Sequence, residues 1–256
     1  MATGGSANMA NRETERASPL VERTIDALGR RIVHGTYAPD TALPTETEIA
    51  KSTGVGRNVV REATKYLTSM GLLRIAQGSG TKVQPKENWN YLDSRIIQWA
   101  MDSDDLRDGL IDELSALRYI VEPEVAAMAA ELATITEKLR LFEALEAMEA
   151  NKDDPEKAVE ADILFHRRLF AAAHNKFLVT LLRAVVAVLR ANFELAIRAD
   201  YAIIEFLDEH RQVAEAVYDR NPDEARSCMR KLLRRNERHL SEMRAALAPG
   251  KSAGNR

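Results

Sequence analysis

A short glycine-containing turn between two amphipathic helical segments is the feature that most constrains the fold of this chain. Before the turn, Thr45 and Glu48 form a capping-box pattern, which predicts the start of a short helix. The turn spans residues 53–56, and a second helix is predicted from about Arg57. Two helices joined by a four-residue turn of this kind are typical of a helix-turn-helix. The inward positions of the second helix recur at spacings of three, four and three: Val60, Ala63, Leu67 and Met70.

The flanking segments extend this motif into a predicted winged helix-turn-helix over residues 18–86. Downstream of it, residues 72–75 and 81–83 have the composition of short strands around the glycine-rich stretch 77–80, which predicts a β-hairpin wing. Upstream of it, Ser18 can cap a further helix with a regular apolar face. That face consists of Val21, Ile25, Leu28 and Ile32.

Charge is distributed unevenly along the chain. Residues 18–86 contain 10 Lys+Arg against 6 Asp+Glu, whereas residues 87–256 contain 24 against 31. A basic segment suits a polyanion binder, because lysine and arginine replace counterions on phosphates. An excess of this size is also common on an ordinary solvated surface. The first 17 residues are small and polar, and we expect them to be a disordered lead-in.

Three exposed positions at the start of the second helix could contact DNA: Arg57, Asn58 and Arg61. This end of a recognition helix enters the major groove, where arginine pairs with guanine and asparagine with adenine. For any one of these side chains alone, simple solvation of the helix is the better explanation. The combination of turn, helix and wing in a basic segment favours DNA binding.

The segment 43–83 resembles the DNA-binding head of the GntR family of bacterial regulators. The residues that carry the resemblance include Leu43-Pro44, Gly54-Val55, Arg57, Val60-Arg61-Glu62-Ala63, Gly71-Leu72 and Thr81-Lys82-Val83. The resemblance implies a homodimer that binds double-stranded operator DNA with an inverted repeat. It also implies a set of DNA-contacting residues: Thr45, Thr47, Arg57, Asn58, Val59, Arg61, Gly78, Ser79 and Lys82.

Two departures from the family pattern affect the expected DNA contacts. Thr47 stands where many relatives carry arginine, so a contact made there would be shortened or lost. Gly56 stands where serine or threonine is usual, which removes a hydroxyl that could cap the helix or contact DNA. We therefore expect a different operator.

The acidic part, residues 87–247, reads as helical almost throughout and predicts an all-α bundle of six to seven helices. The overall fold class is thus mainly α, with the winged helix-turn-helix at the amino-terminal side. Pro123 is expected to kink a long helix, and residues 248–256 are expected to be a flexible tail. The predicted helices cover residues 89–101, 106–132, a segment from 134, a segment from 155, 177–199, 203–218 and a segment from 222.

A candidate metal site lies in the bundle. Asp162 and His166 are four residues apart, so both point from one face of a helix. His210 supplies a second imidazole from a later helix. A carboxylate and two imidazoles suit zinc, nickel or manganese. Taken alone, the Asp-His pair is more often a surface pair or a hydrogen bond at the edge of the core.

The order of residues in the bundle resembles the ligand-sensing domain of the FadR-type branch of this family, over about residues 88–245. The resemblance implies a divalent metal, bound by Asp162, His166 and His210, that coordinates a carboxylate effector. A further histidine is expected about 20 residues before His210, but Asn192 is the one residue there with a ligating oxygen. The resemblance further implies that Arg118 binds the effector carboxylate. The alternative is an internal salt bridge of Arg118 with Glu122 or Asp162.

A narrower likeness, carried by residues 87–93, 98–99 and 117–123, is to the galactonate-operon repressors of this branch. It implies a repressor of a sugar-acid operon, released by an effector such as galactonate. A regulator of another acid, such as lactate or a dicarboxylate, is the nearest alternative. An enzyme that uses the metal to act on a small carboxylate is a second alternative, but no nucleophile motif or phosphate loop is visible. A non-specific nucleoid-type DNA binder is a third.

Composition limits the setting. Cys228 is the single cysteine, so neither an intramolecular disulfide nor a cysteine-rich zinc module can form. The most apolar stretch, residues 178–193, is interrupted by Arg183 and Arg190, so no membrane segment is expected. We therefore expect a cytoplasmic protein. Because no nucleophile motif, phosphate loop or general base beyond the candidate ligands is visible, we also expect that it is not an enzyme.

Overall fold

The computed structural model describes residues 18–76, 78–198 and 206–247. It divides into two compact units, one ending at Asn90 and the other beginning at Tyr91. The boundary predicted after residue 86 lies four residues earlier. The segment after 86 stays with the first unit because the Trp89 indole donates to the Gln84 carbonyl and the Asn90 amide donates to the Met70 carbonyl. The predicted lead-in 1–17 and tail 248–256 lie outside the described residues.

The first unit is a winged helix-turn-helix, as predicted. Its elements are α1 (Pro19–Val33), α2 (Glu46–Thr53), α3 (Arg57–Ser69), β1 (Leu73–Ala76) and β2 (Gly80–Val83), followed by a 3-10 turn at Lys86–Asn88. The capping box at Thr45 and Glu48 is formed, and Gly54 ends α2 in the left-handed conformation. The two strands pair antiparallel, with Leu73 opposite Val83. The hairpin glycines Gly78 and Gly80 both have positive φ.

The interior of this unit is made by the positions that the helical spacing selected. Val60, Ala63 and Leu67 of α3 are fully buried, as is Ile25 of α1. Gly71 follows α3 with φ of +77°, and a Cβ built there would lie 2.1 Å from the Asn88 carbonyl oxygen. Only glycine fits this close approach, which fixes α3 against the segment that leaves the wing.

The second unit is an all-α bundle, as predicted. Its seven helices within the described residues are α4 (Ser94–Met101), α5 (Asp104–Leu132), α6 (Ile135–Ala150), α7 (Pro155–Ala172), α8 (Lys176–Arg198), α9 (Leu207–Tyr218) and α10 (Pro222–Leu247). α5 continues through Pro123. The predicted start of α4 at residue 89 is wrong, because the Asp93 side chain accepts from the Arg95 amide and caps the helix there. The predicted start of α9 at residue 203 lies outside the described residues.

α7 lies within the bundle and carries the site. Ile163, Phe165, Leu169 and Phe170 are buried on it, so the helix has little exposed surface in this stretch. The helices α5, α6 and α8 pack against it. No helix in the described parts of the chain is long and apolar enough to cross a membrane.

Candidate metal and effector site

Three predicted ligands converge in the bundle. Asp162 Oδ1 lies 3.0 Å from His210 Nε2 and 3.6 Å from His166 Nε2. The three ligand atoms all lie within 4.8 Å of one another, and both imidazoles are buried. Ligand atoms bound about 2.1 Å from a tetrahedral zinc are separated by about 3.4 Å. The two measured separations bracket that value, so an ion fits between these atoms with little movement.

Each imidazole is held so that its Nε2 faces Asp162. His210 Nδ1 lies 2.8 Å from the Phe206 carbonyl oxygen, which can only accept, so Nδ1 carries the proton. His166 Nδ1 lies 2.9 Å from Glu122 Oε2 and is likewise placed to carry its proton toward the carboxylate. In the neutral ring the remaining nitrogen, Nε2, then carries the lone pair that a metal needs. The ring of Phe165 packs edge-on against both imidazoles, 4.9 Å from His210 and 5.9 Å from His166.

Glu122 links the metal ligands to Arg118. Its side chain is fully buried, and its Oε1 lies 2.5 Å from Arg118 Nε while Oε2 faces His166. The internal salt bridge considered for Arg118 is therefore present, with Glu122 as its partner. Arg118 Nη2 is buried and has no hydrogen-bond partner among the described residues. Glu122 thus uses the Nε donor of Arg118, and Nη2 is left to bind a further acceptor.

The charges of the site act on one another. Burial raises the pKa of Glu122, but Arg118 and His166 outweigh it and lower that pKa to about 2. Burial also raises the pKa of Asp162, and interaction with His210, His166 and Arg118 lowers it to about 2. For His210, burial lowers the pKa, and the Asp162 carboxylate raises it above its ordinary value. The two carboxylates stay ionised at neutral pH, and an ion entering the site would displace a proton from His210.

Unpartnered polar atoms test whether a metal suits the site. Among the buried polar atoms of the described residues, His166 Nε2 and Asn192 Oδ1 have no hydrogen-bond partner, and Asp162 Oδ1 and His210 Nε2, although 3.0 Å apart, make no well-aligned hydrogen bond. Buried polar atoms are rarely left unpaired, and a set that points to one place indicates a missing ion or ligand. These atoms belong to the four residues that were predicted from the sequence as metal ligands. An oxygen and two imidazole nitrogens, with a second oxygen nearby, fit a divalent metal.

A cavity of about 100 Å³ adjoins these residues. Asp162, His210 and Asn192 line it, together with Asn236 and His239 of α10. The other nine described residues that line it are apolar. The cavity gives a small molecule access to the ligand atoms of Asp162 and His210.

The predicted DNA-contacting residues lie together on the first unit. Arg57, Asn58 and Arg61 are exposed at the amino-terminal end of α3, and Val59 is half-buried beside them. The Thr45 hydroxyl takes part in the capping box with Glu48, so it already has a partner within the protein. The remaining members of the predicted set are on α2 and the wing: Thr47, Gly78 and Ser79, which are exposed, and Lys82, which is half-buried.

Two features of the site were not identified as functional from the sequence. Glu122 was considered as a salt-bridge partner, but its contact with His166 required the packing of α5 on α7. The Phe206 carbonyl that orients His210 is a main-chain atom, so no residue type could indicate it. The family resemblance at residues 122–123 was the one available signal.

The winged helix-turn-helix and the all-α bundle together define a class: a DNA-binding transcriptional regulator with a helical second domain. Residues 20–83 match the family described as bacterial regulatory proteins, gntR family, and residues 113–235 match the FCD domain. The chain belongs to the GntR family, in the group that carries an FCD domain. Members of this family bind operator DNA and usually dimerise, and the relatives are transcriptional regulators rather than enzymes.

Particular relatives agree with this assignment. The chain is 34% identical over 224 residues to the galactonate operon transcriptional repressor of Escherichia coli, covering 87% of this chain and 97% of that protein. It is 31% identical to the putative L-lactate dehydrogenase operon regulatory protein of the same organism, covering 73% of each. Among solved structures, Listeria monocytogenes Lar shares the fold, with a TM-score of 0.55 at 18% identity over 91% of this chain and 100% of Lar.

Proposed function

We propose that the protein represses a catabolic operon for a sugar acid or another carboxylate, and that a carboxylate effector bound at a metal in the bundle releases it from DNA. The proposed effector binding rests on one observation: the ligand atoms of Asp162, His166 and His210 are buried beside a cavity and make no well-aligned hydrogen bonds. Family membership and the relation to sugar-acid operon repressors support the regulatory half.

On the DNA side, a homodimer would place one α3 helix in each of two major grooves and read an inverted repeat in the cytoplasm. Arg57, Asn58 and Arg61 are the residues on α3 that we assign to base edges and phosphates, because they are exposed at the end that enters the groove. The wing residues Gly78 and Ser79 would follow the adjacent minor groove or backbone.

On the sensor side, Asp162, His166 and His210 would hold the metal, with Asn192 as a weaker fourth ligand. The metal would supply a positive centre for the effector carboxylate. Arg118 Nη2 has no partner among the described residues, and this group would bind the same carboxylate. The effector changes DNA affinity only if it binds one conformation of the protein better than the other, and such coupling is typically about 1–3 kcal/mol.

A metal titration tests the sensor half. Purified full-length protein, stripped with a chelator, is titrated with Zn²⁺, Ni²⁺ or Mn²⁺ and followed by calorimetry. We expect one ion per chain, proton release on binding, and loss of binding in His210→Ala. His174→Ala is the matched control, because His174 pairs with Glu137 outside the site. Equal metal binding by the His210→Ala and wild-type proteins would contradict the proposed ligand set.

A binding comparison separates the regulator from a non-specific DNA binder. A specific regulator keeps its operator in the presence of excess random DNA, whereas a nucleoid-type binder shows salt-sensitive binding without sequence preference. Fragments from the region upstream of the protein's own gene are the first to test. Equal affinity for these fragments and for random DNA of the same length would contradict the proposal.

A further inference from the structure

The walls of the effector cavity are chemically unlike a sugar acid. Of the fourteen described residues that line it, nine are apolar, among them Val159, Leu189, Phe193 and Met243. These side chains come from α7, α8 and α10, so the apolar lining surrounds the cavity from several sides. The part of a ligand that points away from the metal ligands would therefore contact mostly apolar side chains.

The polar groups available to a ligand are few. Asp162 and His210 belong to the cluster of candidate ligands, and Asn192 is proposed as a weaker one, so their ligand atoms would be used by the ion. Asn236 and His239, on one face of α10, are the other polar side chains among the described lining residues. The ring of His239 also packs edge-on against Phe206 at 5.3 Å. A six-carbon sugar acid brings five hydroxyls, which is more than these groups can satisfy.

An unsatisfied hydroxyl weakens binding, because it gives up its bonds to water and gains none in the protein. A methylene in the same place gains from leaving water. The apolar walls of the cavity therefore favour a ligand that brings few hydroxyls.

Resting on the proposed function, we infer that the effector of this protein is a carboxylate with an apolar body, rather than a polyhydroxylated sugar acid. Its carboxylate, together with a neighbouring oxygen where one is present, binds at the metal. Its carbon chain lies against Val159, Leu189, Phe193 and Met243, and Asn236 and His239 accommodate at most a single polar group. The apolar lining thus sets the specificity, while the metal and Arg118 set the common affinity for carboxylates.

A matched pair of acids tests this inference. 2-Hydroxybutanoate and threonate have the same four carbons and the same carboxylate and 2-hydroxyl, but threonate has two more hydroxyls. Both are titrated calorimetrically into the full-length protein loaded with the ion that binds most tightly. We expect 2-hydroxybutanoate to bind at least about tenfold more tightly, equivalent to about 1.4 kcal/mol. Threonate binding as tightly or more tightly would overturn the inference.

A pair of variants of one helix tests the role of the wall. Met243→Gln is nearly isosteric and adds an amide to the cavity, so the preference should fall from about tenfold to below about threefold. Met229→Gln introduces the same change in α10 at a buried position that does not line the cavity, and it should leave the ratio unchanged. An unchanged ratio in folded Met243→Gln would overturn the assignment of specificity to this wall. If that variant does not fold, the comparison of the two acids on the wild type decides.

The outcomes also separate this inference from the function on which it rests. Tight threonate binding that is lost in His210→Ala would leave the metal-held effector in place and overturn the apolar preference alone. Binding of neither acid by metal-loaded protein would count against a carboxylate effector at this site, and the inference would fall with it.

Discussion

Replacing Glu122 with glutamine should damage both the stability of the bundle and its metal affinity. The carboxylate faces Arg118 with one oxygen and His166 with the other, and the side chain is fully buried. Glutamine keeps the shape but has one acceptor oxygen, so either Arg118 or His166 loses its partner. A pKa of about 2, against an ordinary 4.5, corresponds to roughly 3 kcal/mol in favour of the charged form.

Removing one member of a buried ion pair typically costs about 3–5 kcal/mol, which agrees with that figure. We therefore expect Glu122→Gln to lower the free energy of unfolding of chelated protein by about 3 kcal/mol. Urea denaturation followed by far-UV circular dichroism measures this loss. Metal affinity should also fall about 10–100-fold, because His166 loses the group that orients it.

Glu124→Gln is the matched control for this change. Glu124 lies two residues away on α5 and pairs with Arg226 and Arg230 at the surface, with about half of its side chain exposed. Exposed pairs contribute about 0–1 kcal/mol, so the loss of stability should be small and the metal affinity unchanged. A loss of unfolding free energy in Glu122→Gln no larger than in Glu124→Gln would refute a stabilising role for the buried contacts of Glu122 with Arg118 and His166.

Three further predictions follow from the geometry. Arg61→Ala should weaken operator binding by about 1–3 kcal/mol per half-site in an anisotropy assay, with metal affinity unchanged; parallel loss of both would indicate misfolding instead. Gly71→Ala should destabilise the head by well over the ~1–2 kcal/mol of left-handed strain, because the new Cβ would meet the Asn88 carbonyl. Gly54→Ala has a similar φ but open space around the Cβ, so it should cost only the strain. Thermal denaturation compares the two variants, and equal shifts of the melting temperature would contradict this prediction. Chelated protein should lose stability as the pH falls from about 4.5 toward 2, because the pKa of Glu122 is lowered to about 2 in the folded protein. The midpoint of urea denaturation measures this loss at each pH. A constant midpoint across this range would contradict the charged contacts of Glu122 with Arg118 and His166.

The head could be predicted in detail because its signals are local. The capping box at Thr45, the glycine-containing turn at 53–56 and the apolar spacing of α3 each act within a few residues, and all three appear as expected. The start of α4 was missed because apolar periodicity continues from Trp89 while Asp93 caps the helix. Trp89 is buried in the first unit instead, with its indole donating to the Gln84 carbonyl.

The site could be predicted only in part because half of it depends on tertiary packing. Asp162 and His166 follow from a spacing of four on one helix, and His210 was a candidate from a later helix that the family resemblance joined to them. The second contact of Glu122 joins α5 to α7, so it depends on how these helices pack. The Phe206 carbonyl orients His210 from the main chain four residues earlier, and no residue type signals such a contact.

One binding experiment tests the central claim most directly. Fluorescence anisotropy of the metal-loaded protein on DNA from its own upstream region is measured while 2-hydroxybutanoate and D-galactonate are added in parallel. We expect the protein to bind this DNA specifically and a carboxylate to release it. Release should be lost after chelation and in His210→Ala, while DNA binding remains. Release that is unchanged in His210→Ala, or DNA binding that no carboxylate alters, would contradict a metal-held effector as the signal that frees the operator.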